Sequence, residues 1–296
     1  MRRLAEAADA FRNALQVRTR EDLPQQWAMT QYNLGSALLR LGKRTPGAEG
    51  AKLLAEAAEA YRNALKVYTR DALPQDWAWT QDMLGDALVS LAGRQDKEQR
   101  AKSLEDARTG YAQMLGGLSR ESQPAKWSTV ARKLYMVQVD QAWDEGAWDK
   151  ALEMAQKLVD VDPGTSAAVR QNTARLATGR FEDCLKQAGA LAEKPDLRED
   201  PAAAVELRVT GVICQVALGR TAKAAEGMRA LTEFVGKQPE SFRPSGPWVG
   251  MKGYLRSTKQ EQLAAHREWL LQCLDALSLG ERDEVLKALK ALPPLK

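Results

Sequence analysis

Apolar residues recur three and four positions apart through most of this chain. Over residues 4–20, Leu4, Ala7, Ala8, Phe11, Ala14, Leu15 and Val17 form one stripe, which is the spacing of a single helix face. Leu23-Pro24 closes that stripe and opens the next. Proline lacks an N–H and disfavours helical backbone in the residue before it, so it stops one helix yet suits the first turn of another. The second stripe, 25–42, carries Trp27, Leu34, Ala37, Leu38 and Leu41, and a polar connector with glycine and proline follows at 43–50. The same order returns as helix 54–72, Pro74, helix 75–92, connector 93–102, helix 103–119, Pro124 and helix 125–143. These patterns predict an all-α protein without strands.

The recurrence is a sequence repeat. Residues 4–44 and 54–94 align without a gap, with 26 of 41 positions identical. A weaker third copy keeps Leu104, Tyr111, Leu115, Arg120, Pro124, Trp127 and Leu134 in register. Repeats of this kind pack each unit on its neighbours, which frees the chain from the size limit of a single core. Beyond Trp127 the period shortens. Gly146, Gly179 and Gly219 each open a similar stretch, 33 and then 40 residues apart, at a place where a helix reverses through a left-handed residue. Residues 236–250 interrupt the pattern with prolines and glycines. Helices are expected at 258–279 and 282–292 as a C-terminal cap. The organisation read from the sequence is long repeats over 1–145, shorter ones over 146–236, and a linker with a helical cap over 237–296.

The pattern resembles the tetratricopeptide repeat. Leu34-Gly35 and Gly42 match the signature of that family's first helix, and Ala57, Tyr61, Ala64 and Leu65 match its second; Leu84-Gly85 with Ala107, Tyr111 and Leu115 repeat the match. The usual period is about 34 residues. Here a ten-residue insertion between the helices and about six residues around Thr-Arg-x-x-Leu-Pro make up the difference. The resemblance, over residues 4–236, implies a right-handed α-solenoid of antiparallel hairpins. It also implies a concave face, lined by first helices, that holds a partner peptide or protein segment.

The positions implied for that face are Met29, Tyr32, Asn33, Ser36, Leu39 and Arg40 in the first unit. They are Trp79, Asp82, Met83, Asp86 and Ser90 in the second, and Thr129, Arg132, Lys133, Met136 and Asp140 in the third. Met83 and Lys133 stand where Asn33 offers an amide for clamping a peptide backbone, so there is no ladder of asparagines. Differences between the two otherwise matching repeats cluster at these positions, as Met29/Trp79, Tyr32/Asp82, Asn33/Met83, Ser36/Asp86 and Arg40/Ser90, as expected of a recognition surface. Asp82 and Asp86, one turn apart, would select a basic ligand, and Trp79 is the leading anchor. Trp27, Trp77 and Trp127 are expected in the core at the hairpin junctions, where truncation of a buried ring costs about 3–5 kcal/mol.

Composition narrows the function classes. The chain has 44% hydrophobic and 28% charged residues and a net charge of +4 without a basic run, which argues against nucleic acid as a partner. Cys184, Cys214 and Cys273 lie far apart in sequence among apolar residues, and the single histidine, His266, has no evident link to them. They fit reduced thiols of a cytoplasmic protein rather than a disulfide framework or a nucleophile. No metal or cofactor motif is legible, and no apolar run reaches a membrane span.

The expectation is therefore a non-enzymatic, bacterial-type interaction scaffold without cofactors. Its alternative is a regulatory region of a larger signalling or defence protein carrying a caspase-like protease or NTPase. The stripe at 4–20 reads as a second helix with no first helix before it, so self-association or docking through this helix is expected.

Overall fold

Helices account for nearly all the regular structure in the computed structural model, which describes residues 2–244 and 246–295. In chain order they are α1 (Arg2–Ala14), α2 (Pro24–Arg44), α3 (Gly47–Ala64), α4 (Pro74–Ala92), α5 (Lys97–Leu115), α6 (Pro124–Glu145), α7 (Trp148–Val161) and α8 (Thr165–Ala177). After these come α9 (Phe181–Ala192), a 3-10 turn (Pro195–Arg198), α10 (Pro201–Ala217), α11 (Thr221–Gly236), α12 (Trp248–Ser257), α13 (Glu261–Ala265), α14 (Arg267–Leu277) and α15 (Arg282–Lys290). No strand occurs among the described residues. The chain divides into two units, one ending at Val137 and the other beginning at Gln138, within the span of α6.

In the N-terminal unit each helix packs on its sequence neighbour, α1 on α2, α2 on α3, α3 on α4 and α4 on α5. Pro24, Pro74 and Pro124 each take the first position of a helix. The extra residues of the long repeat are placed differently from the sequence expectation. Residues 47–53 and 97–102 are helical, so the predicted ten-residue insertion lengthens α3 and α5, and Thr45-Pro46 alone separates α2 from α3. The local reason is helix-forming composition, with Asp96 capping α5 by accepting from the Gln99 amide at 2.9 Å. At their other ends α3 and α5 stop at Ala64 and Leu115, short of the predicted 72 and 119.

Hairpin closure depends on Leu-Gly. Tyr61 and Tyr111 are fully buried under α2 and α4. A Cβ on Gly35 would lie 2.9 Å from the Tyr61 ring, and one on Gly85 would lie 2.4 Å from Cζ of Tyr111. Each tyrosine therefore fills the space that a side chain would occupy. A second repeat-spaced device joins the second helices. Arg12 pairs with Glu56 at 2.7 Å, and Arg62 pairs with Asp106 at 2.8 Å.

The C-terminal unit is built on a different turn. Gly146, Gly179, Gly219 and Gly280 all have positive φ, between 71° and 89°, which glycine adopts without steric cost. Five residues on, Ala151, Cys184, Ala224 and Val285 are all fully buried. The fourth of these turns was missed in the sequence reading. It makes α14 and α15 another hairpin of the same type, stacked on α11 through contacts such as Cys273 Sγ to Met228 Sδ at 3.6 Å. The single helix expected at 258–279 is two helices, α13 and α14, which start after the non-helical Thr258–Gln260 and are separated at His266.

Candidate functional site

The first helices of the N-terminal unit adjoin one another, α2 beside α4 and α4 tied to α6 through Asp82 and Lys133. Their shared face carries the positions singled out from the sequence. Met29 is 46% exposed, Trp79 57% and Met136 38%. Arg40 is exposed, whereas Tyr32, Asn33, Ser36, Asp82, Met83, Asp86, Ser90, Arg132 and Lys133 are half-buried, as is Asp140 further along α6. Thr129 is exposed. Leu39 is not exposed on this face; it is buried in the core with Leu38.

Polar residues on the face are engaged inside the chain. The Lys133 ammonium donates to Asp82 Oδ1 at 2.6 Å and to Asp86 Oδ1 at 2.9 Å, and it lies 5.8 Å from the centre of the Tyr111 ring. Tyr111 donates its hydroxyl to the same Asp86 oxygen at 2.9 Å. Burial, then the Asp86 charge and this bond, hold the Tyr111 phenol far above its ordinary pKa. One hairpin earlier, Ser36 Oγ lies 3.1 Å from the Tyr61 hydroxyl, and burial pushes that phenol up to about 12. The Tyr61 ring also meets Tyr32 edge-on, with centroids 5.7 Å apart.

These contacts give the repeat-to-repeat differences a structural cause. The α2/α4 junction combines Tyr32 and Ser36 with Met83, which packs on the core; the α4/α6 junction has Asp82, Asp86 and Lys133 at the equivalent places. Each set is internally matched, apolar and neutral in one case and charged in the other. The basic group that Asp82 and Asp86 hold in this structure is Lys133 of the same chain.

Substituting Lys133→Met is expected to lower stability by about 1–2 kcal/mol, between the values for exposed and buried pairs. Adding Asp82→Tyr and Asp86→Ser, which copies the α2/α4 set, should recover most of the loss. Urea midpoints of the three variants check this, and no recovery would separate the two sets.

The recurrent tryptophans are also placed differently from expectation. Trp27, Trp77 and Trp127 are half-buried rather than core. Trp27 packs at the rim of a small cluster with Ala28, Ala64 and Tyr68. The Arg70 guanidinium lies 5.7 Å from the Trp77 ring centre, and that of Arg120 lies 4.9 Å from the Trp127 ring centre. Arg70, in Thr-Arg-x-x-Leu-Pro, and Arg120, in Ser-Arg-x-x-Gln-Pro, each bring a guanidinium to the ring seven residues later.

In the C-terminal unit the corresponding helices are joined by a buried polar network. Arg170 on α8 donates to Asp140 at 3.3 Å and faces Glu206 on α10 at 3.7 Å. Thr173 donates to Glu206 at 2.8 Å and lies 3.1 Å from the Thr210 hydroxyl. Burial raises the Glu206 carboxyl, which Arg170 and Thr173 partly offset. The three cysteines are buried thiols. A hydrogen bond with Cys184 and then burial push Cys214 up, and burial takes Cys273 to about 12, the opposite of what activates a nucleophile.

Among the described residues no group of three or more potential ligands is placed to hold a metal ion. No helix among them is long and apolar enough to cross a membrane. The fold defines an all-helical protein whose helices pack consecutively along the chain among the described residues. A scan against models of known protein families gives no match, and neither does a search of curated proteins.

Proposed function

We propose that this chain is a non-enzymatic binding scaffold of the tetratricopeptide type. In this reading it is a right-handed α-solenoid whose concave face, formed by α2, α4 and α6, receives a segment of a cytoplasmic protein partner. The observation that carries the proposal is the exposure of Trp79, 57%, beside Met29 at 46% on the neighbouring helix. The two are equivalent residues of adjacent repeats, so the packing does not demand a tryptophan there, and a large ring left in water on a groove face is a typical interface anchor. The charged neighbours Asp82, Asp86 and Lys133 neutralise one another. Apolar anchors and the exposed Arg40 therefore dominate what a partner meets.

Selection of peptides from a random library on the full chain tests this. Bound peptides are expected to lose at least about 2 kcal/mol of affinity on Trp79→Ala, with less change in unfolding than Trp77→Ala causes. Enriched peptides indifferent to Trp79→Ala and Met29→Ala, or no enrichment, would remove the site.

A further inference from the structure

The glycine turns of the C-terminal unit place charges at equivalent positions, and one step between turns leaves its arginine unpaired. Arg220 directly follows the turn glycine Gly219, and Glu182 lies three residues after Gly179. Arg220 Nη1 donates to Glu182 Oε2 at 3.3 Å, and its Nη2 donates to the other carboxylate oxygen. One turn earlier the equivalent residues are Arg180 and Asp149. Asp149 is one methylene shorter than Glu182, and among the described residues Arg180 forms no such pair. The two residues instead line a cleft of about 530 Å³ between α7 and α8.

Arg175, in the last turn of α8, lines this cleft with Arg180, and both arginines also line a second one of about 420 Å³ against α9. Arg175 is half-buried, and its Nη1 is buried with no acceptor. Buried donors are nearly always paired, so this guanidinium is poised for an acceptor that enters beside it. The two clefts differ in charge. Around the first, Lys157, Arg175 and Arg180 are matched by Asp149, Glu153 and Asp160. Around the second, Arg175, Arg180 and Lys186 face one carboxylate, Asp183. Arg180 and Lys186 are exposed, and neither is ion-paired among the described residues.

We infer that the cleft between α8 and α9 binds a phosphate group, carried by a phosphomonoester or by a free phosphate compound. A planar guanidinium engages two phosphate oxygens at once, which suits Arg175, and Arg180 with Lys186 balances the remaining charge. A single carboxylate would leave three cations undermatched, whereas a doubly charged phosphate offsets their excess over Asp183. The volume lies in the range of small-ligand sites. This site belongs to the C-terminal unit and does not rest on the Trp79 reading.

Calorimetric titration of the full chain at low salt tests the inference. The probes are sodium pyrophosphate and a glycine-flanked phosphoserine pentapeptide beside its unphosphorylated form. Saturable binding of the phosphate probes is expected, and it should weaken as salt is raised. Arg175→Met and Lys186→Ala should each lower affinity about ten-fold or more, the loss of one charge-assisted hydrogen bond. Lys43→Ala, which removes an exposed cation from the N-terminal unit, should leave it unchanged. Lys186 is exposed, so its variant reads the site even where Arg175→Met fails to fold. Tighter binding of the phosphopeptide would place the phosphate on a partner chain, and tighter binding of pyrophosphate on a free ligand; both uphold the site. No saturation by either phosphate probe up to about 10 mM would overturn it. So would equal losses from Lys186→Ala and Lys43→Ala, or equal binding of the unphosphorylated peptide.

Discussion

Tyr111→Ala is expected to destabilise the N-terminal unit by about 3–5 kcal/mol, the range for deleting a fully buried aromatic side chain. The ring is 1% exposed, fills the space above Gly85 and holds Asp86 through its hydroxyl. Both the packing and the junction to Lys133 weaken together. The pairing with Gly85 makes the prediction specific. Gly85→Ala alone should cost about 1–3 kcal/mol, because the added methyl overlaps the ring. In the Tyr111→Ala background the same change should become neutral or stabilising by up to about 1 kcal/mol, since alanine is the better helix former once the ring is gone. A double-mutant cycle by urea unfolding measures the coupling. Additive effects would mean that the ring and the glycine do not share one space.

The second large effect is expected at Arg170. Its side chain is 16% exposed and Glu206 is 6% exposed, so Arg170→Met leaves a carboxylate buried without its cation. The expected cost at neutral pH is about 3–5 kcal/mol. Glu206 is already raised above the ordinary value of 4.5 by burial, and removing the guanidinium raises it further. A carboxyl raised on folding contributes fully to stability below pH 4.5 and loses that contribution as pH climbs through its folded value. The deficit of Arg170→Met should therefore grow from about pH 4.5 upward and shrink in acid. Glu206→Gln in the same chain keeps an acceptor for Thr173 and should recover most of the loss. Thermal unfolding across pH 4–8 checks both statements. A deficit independent of pH would detach Glu206 from it.

Much of the architecture was legible in the sequence because its causes are local. Helical spacing of apolar residues, proline at each second start and glycine at each turn act within a few residues, so α2, α4 and the Gly146, Gly179 and Gly219 turns were readable. The fifty-residue identity carried the hairpin order. Leu34-Gly35 and Leu84-Gly85 stood out by their recurrence, and the structure supplies the physical reason, a tyrosine packed against each glycine. The exposure of Trp79 was foreshadowed by Met29 at the same place in the repeat, since a position that accepts both is not closely packed.

Contacts across repeats were decided only by tertiary structure. Asp82 and Asp86 looked like a site for an outside cation because nothing local shows that Lys133, about fifty residues on, completes them. Trp77 and Trp127 are half-buried beside arginines rather than in the core, since burial depends on what lies opposite rather than on the residue itself. The network of Asp140, Arg170, Thr173 and Glu206 is invisible in sequence for the same reason. The segment 236–250 reads as a break in the pattern because its prolines and glycines speak locally against regular structure. Helix α12 begins at its end because the rings of Trp143 and Trp148, far earlier in the chain, and helix α14 give its apolar face surfaces on which to fold.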